Sequence, residues 1–367
     1  MCRVGSSSQR GVGRQNLAST TIVIALSVVI GASACGRVAN VATVIPATSP
    51  SVSSSPYASP TPSILPSSSP CASAPAPSVR VGAAGAFDAH RGEMVVFGGD
   101  VQKPPSMGSA ADTWIRGSGC WIKPNPAVSP PDRAYAAMAY DPGSQKVLLF
   151  GGQRDAPGSS PAYLNDTWSW DGATWTQLAG SGPAVWGAVG AFDTARGEFI
   201  VFGVPLTGPP AQTWAWRGGQ WVRLQPLSSP PARADEAVAY DVATQRVVLF
   251  GGARGGAEPL NDTWTWDGAN WKREQPLHSP SPRYGAAMCA SGATTLLFGG
   301  SHEEADFSLW NGSDWRSVGA PTMPPGRHDA VCVSDPSGYA LLFGGQGVTG
   351  QIYNDLWSWD GAQWTSR

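Results

Sequence analysis

From Arg80 to the C-terminus the chain repeats itself six times, and this repetition limits the architecture before any local reading does. The sharpest marker is an apolar segment that closes on glycine: Met94 to Gly99, Val147 to Gly152, Phe199 to Gly203, Val247 to Gly252, Thr295 to Gly300 and Ala340 to Gly345. Five copies end in a pair, namely Gly98 and Gly99, Gly151 and Gly152, Gly251 and Gly252, Gly299 and Gly300, and Gly344 and Gly345. The third has Val204 after Gly203. Downstream comes Asp-Thr-Trp or a relative, followed by a second Trp, as in Trp168 and Trp175, Trp264 and Trp271, and Trp357 and Trp364. Upstream lies a small-residue segment that mostly ends in an aromatic and Asp, such as Ala136 to Asp141.

Each unit therefore supplies four short strands: A with the small residues, B ending in glycine, C with Asp-Thr-Trp, and D with the second Trp. The 45 Gly and 33 Pro in 367 residues fit many turns and argue against long helices. Asp171-Gly172, Asp267-Gly268 and Asp360-Gly361 predict tight hairpins between C and D. Small residues on A suit a crowded axis, and Trp side chains suit the wider wedges further out. Repetition in every unit favours packing for these Trp over an aromatic carbohydrate platform.

Four-stranded units with paired Gly and paired Trp resemble kelch repeats, and the spacing is similar to the propeller of galactose oxidase-like proteins. The resemblance implies an all-β, six-bladed kelch-type β-propeller over 80–367, following a leader and a disordered linker. No strand is exchanged between the ends, so ring closure is expected to rest on side-chain packing.

Arg3, Arg10 and Arg14 precede an uncharged stretch, Leu17 to Ala34, which reads as a secretory leader over 1–34. Gly31-Ala32-Ser33-Ala34-Cys35 resembles the lipobox of bacterial lipoproteins, which implies acylation of Cys35; a plainly cleaved leader and an uncleaved anchor are the alternatives. All three place the rest outside the cytoplasmic membrane. Residues 35–79 form the tether, with 12 Ser and 9 Pro between Pro46 and Ser78. Beyond residue 87 there are 19 Lys plus Arg against 26 Asp plus Glu, an acidic balance that argues against nucleic acid.

The B-to-C and D-to-A connections share one face and vary between units, so any ligand is expected there. Five A strands follow an Arg: Arg80, Arg133, Arg233, Arg283 and Arg327, with Val185 in the third. Five C strands start near Asp112, Asp166, Asp262, Asp306 and Asp355, with Gln212 in the third. Their joint loss predicts an Arg–Asp pair within each unit; a ring of Arg for an anionic ligand is the alternative reading.

No HExxH, Gly-x-Ser-x-Gly, P-loop or dinucleotide fingerprint is present. His278, His302 and His328, with Glu303, Glu304 and Asp306, all map to the loop face of units 4 to 6 as weak metal candidates. Cys289 and Cys332 lie on neighbouring A strands, six and five residues after their Arg, so a bridge needs a register shift; Cys71 and Cys120 are the other pairing. The expected function is a monomeric, lipid-anchored surface module that binds a protein or polysaccharide without a cofactor. A secreted copper oxidase resembling galactose oxidase is the alternative, and a sialidase-like glycan enzyme is a third reading.

Overall fold

Strand B of the first unit stops at Phe97 because Gly98 and Gly99 turn the chain at φ 65° and 88°, a region that costs side-chain-bearing residues strain. The third unit shows the converse. Val204 does not turn, so strand B runs on to Pro205 and pairs with Val185 and Trp186, giving the longest hairpin of the six.

A computed structural model describes residues 75–367, apart from 104–105, 118, 156–159, 256–257 and 302–304. The expected leader and most of the expected tether, with Cys35 and Cys71, and His302, Glu303 and Glu304, lie outside the described residues. Among those described there is no helix, and six four-stranded antiparallel sheets follow one another. Their A strands are Ala84–Asp88, Ala137–Asp141, Val185–Asp193, Ala237–Asp241, Ala287–Ser291 and Val331–Ser334. These strands meet in turn, and the sixth meets the first, so the sheets close a ring around a common axis.

Closure uses more than side chains. Met94, Val96, Trp114 and Trp121 of the first sheet do pack against Val331, Val333, Phe343 and Leu356 of the sixth. In addition, the Gly345 N–H donates to the Arg80 carbonyl at 2.9 Å, the same bond that Gly99 makes to Arg133 and Gly252 to Arg283. The last junction therefore repeats the backbone bonding of three internal ones, those that do not involve the third unit.

The Asp-Thr-Trp motif divides its labour. Thr113, Thr167, Thr213 and Thr263 each accept the indole N–H of the next sheet's D-strand Trp, namely Trp175, Trp221, Trp271 and Trp315, at 2.8–2.9 Å. The fifth sheet has Phe307 at the Thr position; there Trp364 packs edge-on at 5.7 Å and its buried indole N–H has no partner. The repeated Trp thus fill and lock the wedges between sheets.

Three expectations change. Five C-to-D turns enclose four residues, as where Trp170 pairs with Trp175 and Asp171 holds the Ala173 and Thr174 N–H groups, and only the third is a two-residue hairpin, Gly218-Gly219 between Arg217 and Gln220. Cys289 and Cys332 are bridged, with Cα atoms 5.4 Å apart. Their strands belong to different sheets that converge on the axis, so hydrogen-bond register does not govern their approach. Cys120 is also disulfide-bonded. Finally, the D-to-A loops descend along the outer edge of the next sheet: the Ser228 carbonyl accepts the Trp271 N–H and covers a strand edge otherwise open to pairing.

Candidate functional site

All five repeated Arg are nearly inaccessible, 1–4% exposed. In each, one guanidinium nitrogen donates to the carbonyl of the first glycine and the fork grips the Asp of the same unit. Arg133, for example, reaches Asp166 at 2.7 and 2.9 Å. In four of the five the same Asp accepts the indole N–H two residues on, as Trp168 donates to Asp166 at 2.6 Å; after Asp306 that residue is Ser308. Burial would raise these carboxyls, but the guanidinium and the indole outweigh it and hold Asp112, Asp166, Asp262 and Asp355 below the usual range. These charges are spent inside the sheets, so Arg80, Arg133, Arg233, Arg283 and Arg327 present no free cation ring to an anionic ligand.

His278 and His328 are not brought together. His278 hydrogen-bonds through its ring and its backbone to Asp314 in the C-to-D turn of the fifth sheet, at the end opposite the loop face. The descending D-to-A loop carries it there, which corrects its placement from topology. His328 bonds Asp329 at 2.8 Å. No group of three or more His, Cys, Asp or Glu suited to a metal ion occurs among the described residues.

A different arrangement stands at the axis. Two residues after each Arg position, the six units place Gly82, Tyr135, Gly187, Asp235, Gly285 and Asp329, all with φ between 52° and 65°. For Tyr135, Asp235 and Asp329 this left-handed conformation costs on the order of 1 kcal/mol or more each, a strain that clusters at functional positions. Backbone bonds link five of them: Tyr135 donates to Gly82, Gly82 to Asp329, Asp329 to Gly285, and Gly285 to Asp235, at 2.7–3.0 Å. Gly187, in the unit that lacks the Arg, the Asp and the second glycine, stands outside this chain.

Beside that break lies a cavity of about 330 Å³ lined by Tyr135, Gln153, Tyr163, Trp186, Asp235 and Asp329 among others. It shares Tyr135, Gly187, Ala188, Asp235 and Asp329 with the axial channel, about 220 Å³, whose walls are mostly Ala and Gly from all six A strands. The extended third hairpin puts Trp186 here, through a register shift between Trp186 and Val189.

Glu236 is the anomaly on the channel wall. It occupies the position held by Ala83, Ala136, Ala188, Ala286 and Ala330 in the other units. It is 4% exposed, and neither carboxyl oxygen has a partner beyond its own amide. Burial pushes its pKa up to about 8, so the proton stays on near neutrality. Asp235 is reached by solvent at the mouth; surrounding protein, then the Asp329 charge, push it up to about 6. Tyr135 is raised by burial and by Asp329, Asp100, Asp235 and Asp155.

The sign for Glu236 follows from linkage. The unfolded carboxyl ionises near 4.5 and the folded one near 8, so stability is lost as pH rises between those values and then levels off. Glu236→Gln is therefore expected to raise the melting temperature more at about pH 8 than at about pH 4.5. An equal shift at both would mean that the buried carboxyl is not the source. The sequence signal for this site was an acid in an otherwise small-residue strand, together with non-glycine residues at the position after Arg-x.

No family profile and no curated protein matches the chain by sequence. Solved structures do match in shape. One is the structure of YjhT, a kelch-like β-propeller protein, with a TM-score of 0.58 and 16% identity over 80% of this chain and 99% of that one. At that identity the likeness shows the fold alone: a β-propeller.

Proposed function

We propose that this β-propeller is a six-bladed kelch-type module, held outside the cytoplasmic membrane by lipidated Cys35 and its Ser/Pro-rich tether, that captures a carbohydrate at the mouth of its axial channel. The observation that carries this reading is the cavity beside Gly187, where the one blade that breaks the repeat combines aromatic faces with carboxylates. Trp186, Tyr135 and Tyr163 offer flat apolar surfaces, and Asp235, Asp329 and Gln153 offer hydrogen-bonding groups. A concave site of about 330 Å³ suits one or two sugar rings better than a flat protein interface, which favours a glycan over a protein partner.

The copper-oxidase alternative gains no support from the described residues, because His278 and His328 lie at opposite ends of the sheets. A glycan array with the exported protein tests the reading. At least one glycan is expected to bind, with at least tenfold loss in a Trp186→Ala variant that remains folded at the assay temperature, since the ring also packs against the core of that sheet. Retention of all glycan binding in that variant would move the site elsewhere.

A further inference from the structure

The ionisable groups that line the channel and its mouth are of one kind. Apart from tyrosines they are Asp235, Glu236 and Asp329, and no Lys, Arg or His lines either cavity among the described residues. The nearest cations are already engaged: Arg233 with Asp262, Arg283 with Asp306, Arg327 with Asp355, and His328 with Asp329. An anionic sugar would meet only carboxyl groups here, of which Asp329 alone is bonded by an imidazole, whereas a cationic one meets acceptors.

Glu236 supplies the independent observation. Five blades build this position with Ala, and the fourth places a carboxyl on the channel wall with no partner beyond its own amide. A buried acid without a partner destabilises the fold, and such a group is explained when a ligand provides what the protein does not. The Tyr135 and Trp186 rings at the mouth add faces on which a cation is attracted.

We propose that the captured carbohydrate is an amino sugar with a free amine, whose ammonium enters between Asp235 and Asp329 and takes Glu236 as its inner acceptor. This rests on the carbohydrate reading and narrows its chemistry. No covalent bond changes. The ammonium N–H groups form hydrogen bonds to the carboxylates, and Glu236, protonated in the free protein, releases its proton to solvent as it becomes the ion partner. The charged and titratable groups around Glu236 are Arg233 and Asp235, and those around Asp235 are Asp329 and His328. Binding therefore weakens as pH falls below about 8, because the Glu236 proton must be released, and weakens further through about 6, where Asp235 takes up a proton.

The test is titration calorimetry of the intact exported protein with a fully de-N-acetylated chitin tetramer, its fully N-acetylated counterpart and spermidine. Buffers of low and high ionisation enthalpy report the proton. The de-N-acetylated tetramer is expected to bind at least tenfold more tightly than the acetylated one, with proton release. Glu236→Gln is expected to abolish that release and weaken binding about tenfold; Glu236→Ala, the residue of the other blades, serves if Gln impairs folding. Equal affinity for both tetramers would overturn the amine preference and leave the carbohydrate reading standing. Spermidine matching the tetramer would overturn the sugar component. Binding of neither tetramer would overturn the amino-sugar assignment, and the glycan array then decides the carbohydrate reading separately.

Discussion

Replacing Arg233 with alanine is expected to destabilise the folded domain by about 3–5 kcal/mol, read from the urea midpoint and slope. The guanidinium is 1% exposed and has four partner atoms: the Pro231 and Gly251 carbonyls and both oxygens of Asp262. Removing it strands a largely buried carboxylate and a buried carbonyl, and the cost of an uncompensated charge exceeds the net worth of the pair. Arg233→Lys should recover only part of the loss, because a single ammonium cannot span Gly251 and both Asp262 oxygens. A loss below about 1 kcal/mol for Arg233→Ala would show that the pair is dispensable, as for an exposed ion pair.

Trp271→Ala is expected to cost a similar amount, about 3–5 kcal/mol, through the cavity it leaves between the third and fourth sheets. The ring is 1% exposed, lies 5.6 Å from Trp266 and 5.9 Å from Phe202, and donates to Thr213 at 2.9 Å. Trp271→Phe keeps most of the apolar surface but leaves the Thr213 hydroxyl without its donor, so a loss of about 1–2 kcal/mol is expected. Equal losses for the two variants would assign the stability to the hydrogen bond instead of the packing. The same comparison at Trp364, which has no acceptor, should show no hydrogen-bond component.

The scaffold was legible because its parts recur in register. An Arg, a Gly pair, an Asp and two Trp announce one repeated cluster; the Arg, the second Gly and the Asp are lost together in the third unit, which keeps both Trp, and the Arg–Asp contact follows from that joint loss. Backbone bonds carry no residue-type signature, so the Gly345-to-Arg80 closure was not visible in composition. Strand offsets misled for Cys289 and Cys332 because radiating sheets bring strands together without pairing them. Topology misled for His278 because a loop is free to run down a sheet edge before returning to the axis.

The site was legible only as a difference. Val185, Val204 and Gln212 mark the third unit as irregular, but that Trp186 lands at the mouth depends on strand B failing to turn. Glu236 stands out only once six A strands are superposed, and the shared positive φ of Tyr135, Asp235 and Asp329 has no sequence code outside glycine.

The most direct test restores the repeat. In the variant that combines Val185→Arg, Val204→Gly and Gln212→Asp, the third unit regains the Arg, the Gly pair and the Asp of its neighbours. The measurement is its affinity for the glycan that the native protein binds, alongside its melting curve. The expected result is a folded protein that has lost at least tenfold in affinity, because the hairpin that presents Trp186 is shortened and the mouth closes. Unchanged affinity in a folded variant would contradict the assignment of the ligand site to the broken blade.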